Sequence, residues 1–434
     1  MRRIAGSKPH RMPLMIAAPL ALAVLLSSCA VVRPRPPILK EAPKLRVGLA
    51  VEAKTVTLTG TGVFQISIKD STRRPKLCAP GESWTFVASR DMEDTLGVEV
   101  VDPDGLSRGI LNGPLLITSG ESGSYLVHGG KSYRGSMEIF VGSSGLLTLV
   151  NVVDVESYLR GVVPNEIGGL SPDILEAIKA QAVAARTYVF FFRGRYKDQG
   201  FDVLPTVQDQ VYTGVNSERP MSDRAIAETY GIIAVHDGKP IRANFFSTCG
   251  GTTASIEEVW PYDPLPYLKS IEDKRSFQQP YCSFSPTFRW TEVWTAEQFE
   301  NIFRKYYRQV YPNAVQPAET ERIVNVRVAE RSRSGRVRIL EVFTTDNVYR
   351  VVGDAIRLVL RRLDGKDSIL RSTLFDVDAQ RDEGYLRAVA LSGGGNGHGV
   401  GMCQNGAIGM SRAKMNFQKI LTHYYRGVKL VRTY

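Results

Sequence analysis

Several large classes of protein are excluded by what this 434-residue chain lacks. The Gly-rich stretch Gly393–Gly409 has no Gly-Lys-Ser/Thr ending, so it is no nucleotide-binding P-loop. No helix-turn-helix, base-stacking aromatic motif or dense Lys/Arg stripe is present, which argues against nucleic acid as a partner. The apolar run from Met12 to Leu26 is too short for a comfortable membrane-spanning helix, and Pro13 and Pro19 interrupt it. No internal repeat is evident. Carboxylates are plentiful, yet only one, Glu166, stands in a motif, whereas a hydrolytic glycosidase normally needs two.

What is present begins with an address. Arg2, Arg3, Lys8 and Arg11 precede the apolar run without any acid, and the run ends in Leu26-Ser-Ser-Cys29. Residues 1–29 therefore read as a secretion signal. The ending resembles a bacterial lipobox, which makes Cys29 the lipid-carrying first residue of the mature chain. Acyl chains add about 0.8 kcal/mol per buried methylene, so two or more of them would hold the protein to a membrane. Ala30 follows Cys29, and by resemblance to sorting in bacteria with two membranes this favours the periplasmic face of the outer membrane. The formal charge of +11 becomes +7 when the four basic residues leave with the signal. Such a surface suits anionic lipid or the carboxylates of a cell-wall polymer, and export favours the wall.

An exported chain can oxidise its thiols. Cys249, after the apolar run Ala243-Asn-Phe-Phe, and Cys282, before Arg289-Trp290, are expected to pair as a disulfide worth roughly 3 kcal/mol, two buried thiols being the alternative. Sequence leaves Cys78 and Cys403 unassigned.

The expected fold is α+β in more than one lobe, given about four hundred mature residues. Residues 30–44, with Val32-Arg-Pro-Arg-Pro-Pro37, form a Pro-rich tether. Residues 45–145 alternate short runs such as Thr55-Val-Thr-Leu and Val63-Phe-Gln-Ile-Ser-Ile with turn residues, predicting a β-rich lobe that serves as scaffold or wall-binding surface. Residues 146–434 are expected to form a second region that carries the candidate site residues, with an α+β subdomain at about 290–385. That subdomain starts with a helix near Thr295 and continues in strands near Ile323 and Val337.

The clearest element follows Glu166. Ser171, Pro172 and Asp173 signal a helix start, and Leu175, Ile178, Ala182, Ala185, Val189 and Phe192 mark one buried face, with Gly194 as its end. Glu166 itself sits after an apolar strand and a proline turn, where partial desolvation would raise its pKa toward proton donation near neutrality. The plain alternative is a charge that complements a helix N-terminus. Gln181 and Arg186 read equally well as core rim or as substrate contacts.

Five segments in order carry a resemblance over most of the chain: Tyr158-Leu-Arg-Gly-Val-Val-Pro-Asn-Glu166, Ile178-Lys-Ala-Gln-Ala-Val-Ala-Ala-Arg-Thr-Tyr188, Gln210-Val-Tyr-Thr-Gly214, Ser247-Thr-Cys-Gly-Gly251 and Gly397-His-Gly-Val-Gly-Met-Cys-Gln404. Together they resemble the stage II sporulation protein D family. The resemblance implies a lytic transglycosylase that cuts the glycan strands of peptidoglycan, some relatives being amidase enhancers. It implies Glu166 as the catalytic acid and base, the Gly-rich loop in the saccharide groove, and Gln181, Arg186, Gln210, Tyr212, His398, Gly399 and Gln404 as candidate substrate contacts. No cofactor is called for.

The chain also departs from that pattern. Some members carry a His/Cys metal cluster after the Ala-rich helix, but Val203–Asp209 contains neither residue, so no metal is expected there. Cys403 stands where serine is more usual, which opens a Cys403/His398 thiol hydrolase as a second enzyme reading. Asp209 is the one nearby candidate for a second carboxylate. A non-enzymatic alternative is a wall-binding activator of an N-acetylmuramoyl-L-alanine amidase, with Glu166 structural.

Overall fold

Residues 40–169, 171–274 and 279–434 are described in the computed structural model of the chain, and these described residues fall in one compact unit. The expected signal, Cys29 and most of the tether lie outside the described residues. Among those described, no helix is long and apolar enough to cross a membrane.

The fold is mixed α+β. From Lys44 to Asp154 the alternation of apolar and polar residues gives two six-stranded antiparallel sheets. In the strand Thr55–Gly60, Val56 and Leu58 are buried while Thr55 and Thr57 are exposed, the period-2 pattern of a half-buried strand. The strand Leu147–Asp154 pairs with Lys44–Ala53 on one side and Ser136–Val141 on the other. It thus belongs to the sheet although it lies beyond residue 145, and it runs directly into the helices that carry Glu166.

Asp154 ends that strand and caps the first helix, α1 (Val155–Arg160), by accepting from Ser157 N–H. A short turn leads to α2 (Val163–Ile167), whose early proline has no N–H to leave unsatisfied. The Ala-rich helix α3 (Leu175–Phe192) starts after a 3₁₀ turn at Pro172–Ile174, which takes the place of the expected Ser171 cap. Its burial also differs from one amphipathic face: every residue from Ala180 to Val189 is buried. The alanines let α4 (Pro220–Glu228), the strand Ile232–His236 and two later helices approach from different sides. The core built around α3 is continuous with that of the β-rich lobe.

A second, separate core fills the region from Trp290 to Leu391. After the short α5 (Ile256–Val259), helix α6 (Ala296–Val310) opens with a capping box in which Thr295 and Gln298 satisfy each other's backbone. It packs on two three-stranded sheets, and the short α7 (Ala355–Val359) follows the second of them. The chain then returns to the first core, where Met402–Cys403 pairs in parallel with Phe245–Phe246 ahead of α8 (Gln404–Arg412) and α9 (Phe417–Tyr424).

Candidate active site

Glu166 lies at a groove of about 620 Å³. Its turn is fixed from below: the Asn165 amide donates to Gly161 O (2.8 Å), Val211 O (3.1 Å) and Thr213 Oγ1 (2.9 Å), pinning α2 against the 211–217 segment. The same segment supplies the backbone N–H of Val211, which donates to Glu166 Oε1 at 2.9 Å. Burial raises the Glu166 carboxyl above the ordinary carboxylate range, while donation from Val211 and from the Gln404 side chain offsets part of that rise. Gln404→Ala is therefore expected to raise this pKa further, read as a shift of the Glu166 carboxyl carbon titration by NMR. An unchanged midpoint would show that the amide does not touch the carboxylate.

Two other carboxylates line the groove, and both are paired. Asp209 accepts from Arg195 Nη1 (2.8 Å), Tyr188 OH (3.1 Å) and Leu204 N–H (2.9 Å). Asp354 holds Arg357 Nη1 at 3.1 Å. Among the described residues, Glu166 alone of these three has no cationic partner.

The remaining walls are aromatic and basic. The Arg242 guanidinium stands 4.3 Å from the Tyr262 ring centroid and 5.6 Å from that of Trp260. Arg195 lies 5.1 Å from the Phe192 ring. Asn244, Phe245, Phe246, Ser247 and the Asn396–His398 turn complete the lining. At Gly397, with φ of +111°, an added Cβ would meet Phe246 Cβ at 2.8 Å, so glycine allows the loop to lie flat against that strand. Sequence reasoning missed Arg242, Trp260 and Tyr262. The run Val259-Trp-Pro-Tyr262, aromatic residues around a proline, was the available signal.

The candidate contacts separate into two groups. Gln404 and His398 line the groove with Glu166. Gln181 lies one layer behind, fully buried, accepting from Gln404 Nε2 at 3.4 Å while its own amide nitrogen has no partner. Arg186, Gln210 and Tyr212 belong to the core and not to the groove lining. Arg186 is fully buried in a two-pronged pair with Glu156 (2.8 and 2.7 Å). Gln210 accepts from Tyr158 OH at 3.1 Å, and Tyr212 donates to Asn151 Oδ1 at 2.9 Å. Gly399 packs on Arg336, whose Nε would lie 2.5 Å from an added Cβ.

His398 is committed through both nitrogens. Nδ1 accepts from Val400 N–H at 3.1 Å, which leaves Nε2–H to donate to Phe245 O at 3.1 Å. Burial pushes the imidazole down to about 4, so it is neutral at pH 7. It packs between Trp260 and Phe246, with ring centroids 4.8 and 5.3 Å away. It therefore shapes the loop. No Cys403/His398 dyad forms, because the Cys403 sulfur is fully buried and accepts from Cys249 N–H and Gly406 N–H, both at 3.2 Å.

The expected Cys249–Cys282 disulfide requires correction as well. The two residues do meet, but as free thiols with sulfurs 3.3 Å apart. A disulfide needs about 2.05 Å. Cys403 and Asp273 join them in one buried cluster.

An α+β protein with a single unpaired carboxylate in an aromatic and basic groove is the class that fold and site define. Residues 143–236 match the family described as Stage II sporulation protein, and residues 277–401 match a domain of unknown function. An uncharacterized protein of Brachyspira hyodysenteriae is 31% identical over 306 residues, covering 70% of this chain and 73% of its own length. Stage II sporulation protein D of Bacillus subtilis is 26% identical, over 65% of this chain and 75% of its own. The amidase enhancer of Bacillus subtilis is 26% identical over 63% of this chain, though only 40% of its own length is spanned. The chain belongs to the stage II sporulation protein D family.

Proposed function

We propose that the chain is a lytic transglycosylase that cleaves the MurNAc-GlcNAc glycan strands of peptidoglycan, peptide-stripped strands being the preferred substrate. The observation that carries this reading is the pairing pattern: among the described groove carboxylates, Asp209 and Asp354 each hold an arginine while Glu166 does not, and burial raises the Glu166 pKa. A hydrolase would need a second free carboxylate to activate water or attack the sugar. One acid suffices if the substrate supplies its own nucleophile.

In that reaction the protonated Glu166 gives its proton to the glycosidic oxygen as the C1–O bond breaks. The muramyl 6-hydroxyl then bonds to C1, and its proton passes to the Glu166 carboxylate, which restores the starting acid. Closure within one sugar gains the effective molarity of an intramolecular reaction. Trp260 and Tyr262 offer apolar faces for sugar rings, and Arg242 and Arg195 offer donors to hydroxyl, N-acetyl or stem carboxylate groups. Digesting purified glycan strands in oxygen-18 water tests the scheme. The expected products are 1,6-anhydro-muramyl ends without solvent label; labelled reducing ends would mean hydrolysis.

The relative named amidase enhancer supports a second reading, a non-catalytic activator of a cell-wall amidase. In that case an added N-acetylmuramoyl-L-alanine amidase would be stimulated without any new glycan ends. Either role requires export, which we propose occurs as a membrane-anchored lipoprotein through Cys29. Cys29→Ala is expected to lose acyl labelling and membrane fractionation, and retention of both would remove the anchor from the scheme.

A further inference from the structure

Cys249, Asp273, Cys282 and Cys403 come from three stretches of chain far apart in sequence, yet one ligand atom from each lies within 4.8 Å of all the others, fully buried. We propose that these four side chains form a structural site for a thiolate-preferring divalent cation of the zinc class, beneath the groove and separate from its chemistry. The reading goes beyond the proposed function and does not depend on it.

The geometry fits a tetrahedral centre. Bonds of about 2.3 Å to sulfur and 2.0–2.2 Å to oxygen give a tetrahedron with edges of roughly 3.8 Å. The Cys249–Cys282 sulfur separation of 3.3 Å and the Cys249 Sγ to Asp273 Oδ2 distance of 3.1 Å, with all atoms inside 4.8 Å, surround that value. Three sulfurs and one carboxylate oxygen are a closed donor set of the structural kind.

The surroundings are those of ligands already oriented. Tyr424 OH donates to Asp273 Oδ1 at 2.7 Å, with His423 Nε2 3.4 Å from the same oxygen, which turns Oδ2 toward the sulfurs. Backbone N–H groups aim at sulfur: Gly251 at Cys249 (3.3 Å), and Cys249 and Gly406 at Cys403 (both 3.2 Å). Such donors stabilise thiolates. At Gly406 an added Cβ would lie 2.3 Å from Asp273 Oδ2 and 2.0 Å from Tyr424 OH, so the cluster tolerates no side chain there. Arg336, wholly buried, sits on the carbonyls of Cys249 (3.1 Å) and Thr252 (2.9 Å) and brings a positive charge to balance an anionic metal–thiolate group.

A disulfide accounts for less. Joining Cys249 to Cys282 would use two of the three sulfurs and leave the Asp273 carboxylate fully buried without a metal. A cation uses all four. It would also serve the groove, because Cys403 caps α8 directly before Gln404, and Cys249 follows Thr248, which exchanges backbone hydrogen bonds with Asn396 (2.9 and 2.7 Å).

The test is metal analysis of the purified full chain, with cobalt(II) substitution as a second reading that needs no variant. About one zinc per chain is expected, and the cobalt form should show the intense visible bands of a tetrahedral site with thiolate-to-cobalt absorption. Cys403→Ser and Asp273→Ala should weaken zinc binding by at least roughly 100-fold in competition with a chelator. Cys78→Ser, outside the cluster, should keep full metal content. Glu166→Gln should keep it too, so a failed catalytic assignment leaves this result standing. A metal-free wild type whose non-reduced digest links the Cys249 and Cys282 peptides would overturn the site, as would iron in place of zinc, or a cobalt form without thiolate absorption.

Discussion

Glu166→Gln is expected to lower glycan cleavage by at least about ten-thousand-fold, because one residue serves as the acid of the first step and the base of the second. The amide can neither donate the first proton nor accept the last. The shape of the site should survive, since the amide oxygen can still accept from Val211 N–H. Stability provides a check with a definite sign. A carboxyl whose folded pKa is raised favours the folded state at low pH and loses that contribution as pH climbs from the unfolded pKa through the folded one. Above that raised pKa the ionised Glu166 therefore opposes folding, and the neutral amide should melt no lower than wild type there. Wild-type kcat/KM should fall as pH rises through the same raised pKa, because the protonated acid starts the reaction. Full cleavage by Glu166→Gln would falsify the assignment, and an inactive variant that also melts well below wild type would point to lost structure instead.

Glu166 drew attention through local signals: Pro164 and the Ser171-Pro-Asp helix start lie within a few residues of it, although Pro164 opens the helix α2 and does not make a turn after a strand. The strands near Thr55, Phe64, Ile323 and Val337 were legible for the same reason, period-2 patterning between turns. What sequence could not supply were relations across the chain. Arg186 reads as a polar residue on an alanine helix, and nothing nearby reveals that Glu156, thirty positions earlier, meets it in the core. The expected pairing of Cys249 with Cys282 rests on export and local placement alone; Cys403 reaches the same point only through the parallel bridge at Phe246–Cys403, and Asp273, between the two cysteines in sequence, is carried there beside the Thr252–Glu272 bridge. The groove wall shows both limits. The Asn396–His398 turn announced itself by its glycines, whereas Arg242 and Tyr262 are functional candidates only because folding sets one over the other.

The largest stability effect is expected from Arg186. Its side chain is fully buried, with Nε and Nη2 on the two Glu156 oxygens and Nη1 on Ile232 O at 3.0 Å. Glu156 also accepts from Gly231 N–H at 3.3 Å and from Tyr434 OH, so the pair joins α1, α3 and the strand Ile232–His236 to the last residue of the chain. Removing one member of such a pair leaves the other charge buried without its partner, at a cost of about 3–5 kcal/mol. Arg186→Ala should accordingly lower the urea midpoint far more than Glu166→Gln does. Arg186→Lys should fall between wild type and the alanine variant, since an ammonium keeps the charge but not the planar fork. The double variant Arg186→Met/Glu156→Gln should lose less than the sum of its two single changes, because the groups that would be stranded are both gone. This series also decides between the two sequence readings of Arg186. A near-native urea midpoint with weakened glycan affinity in Arg186→Ala would make it a substrate contact, whereas a large midpoint loss that Glu156→Gln partly relieves makes it the ion pair that ties α1 and α3 to the strand Ile232–His236.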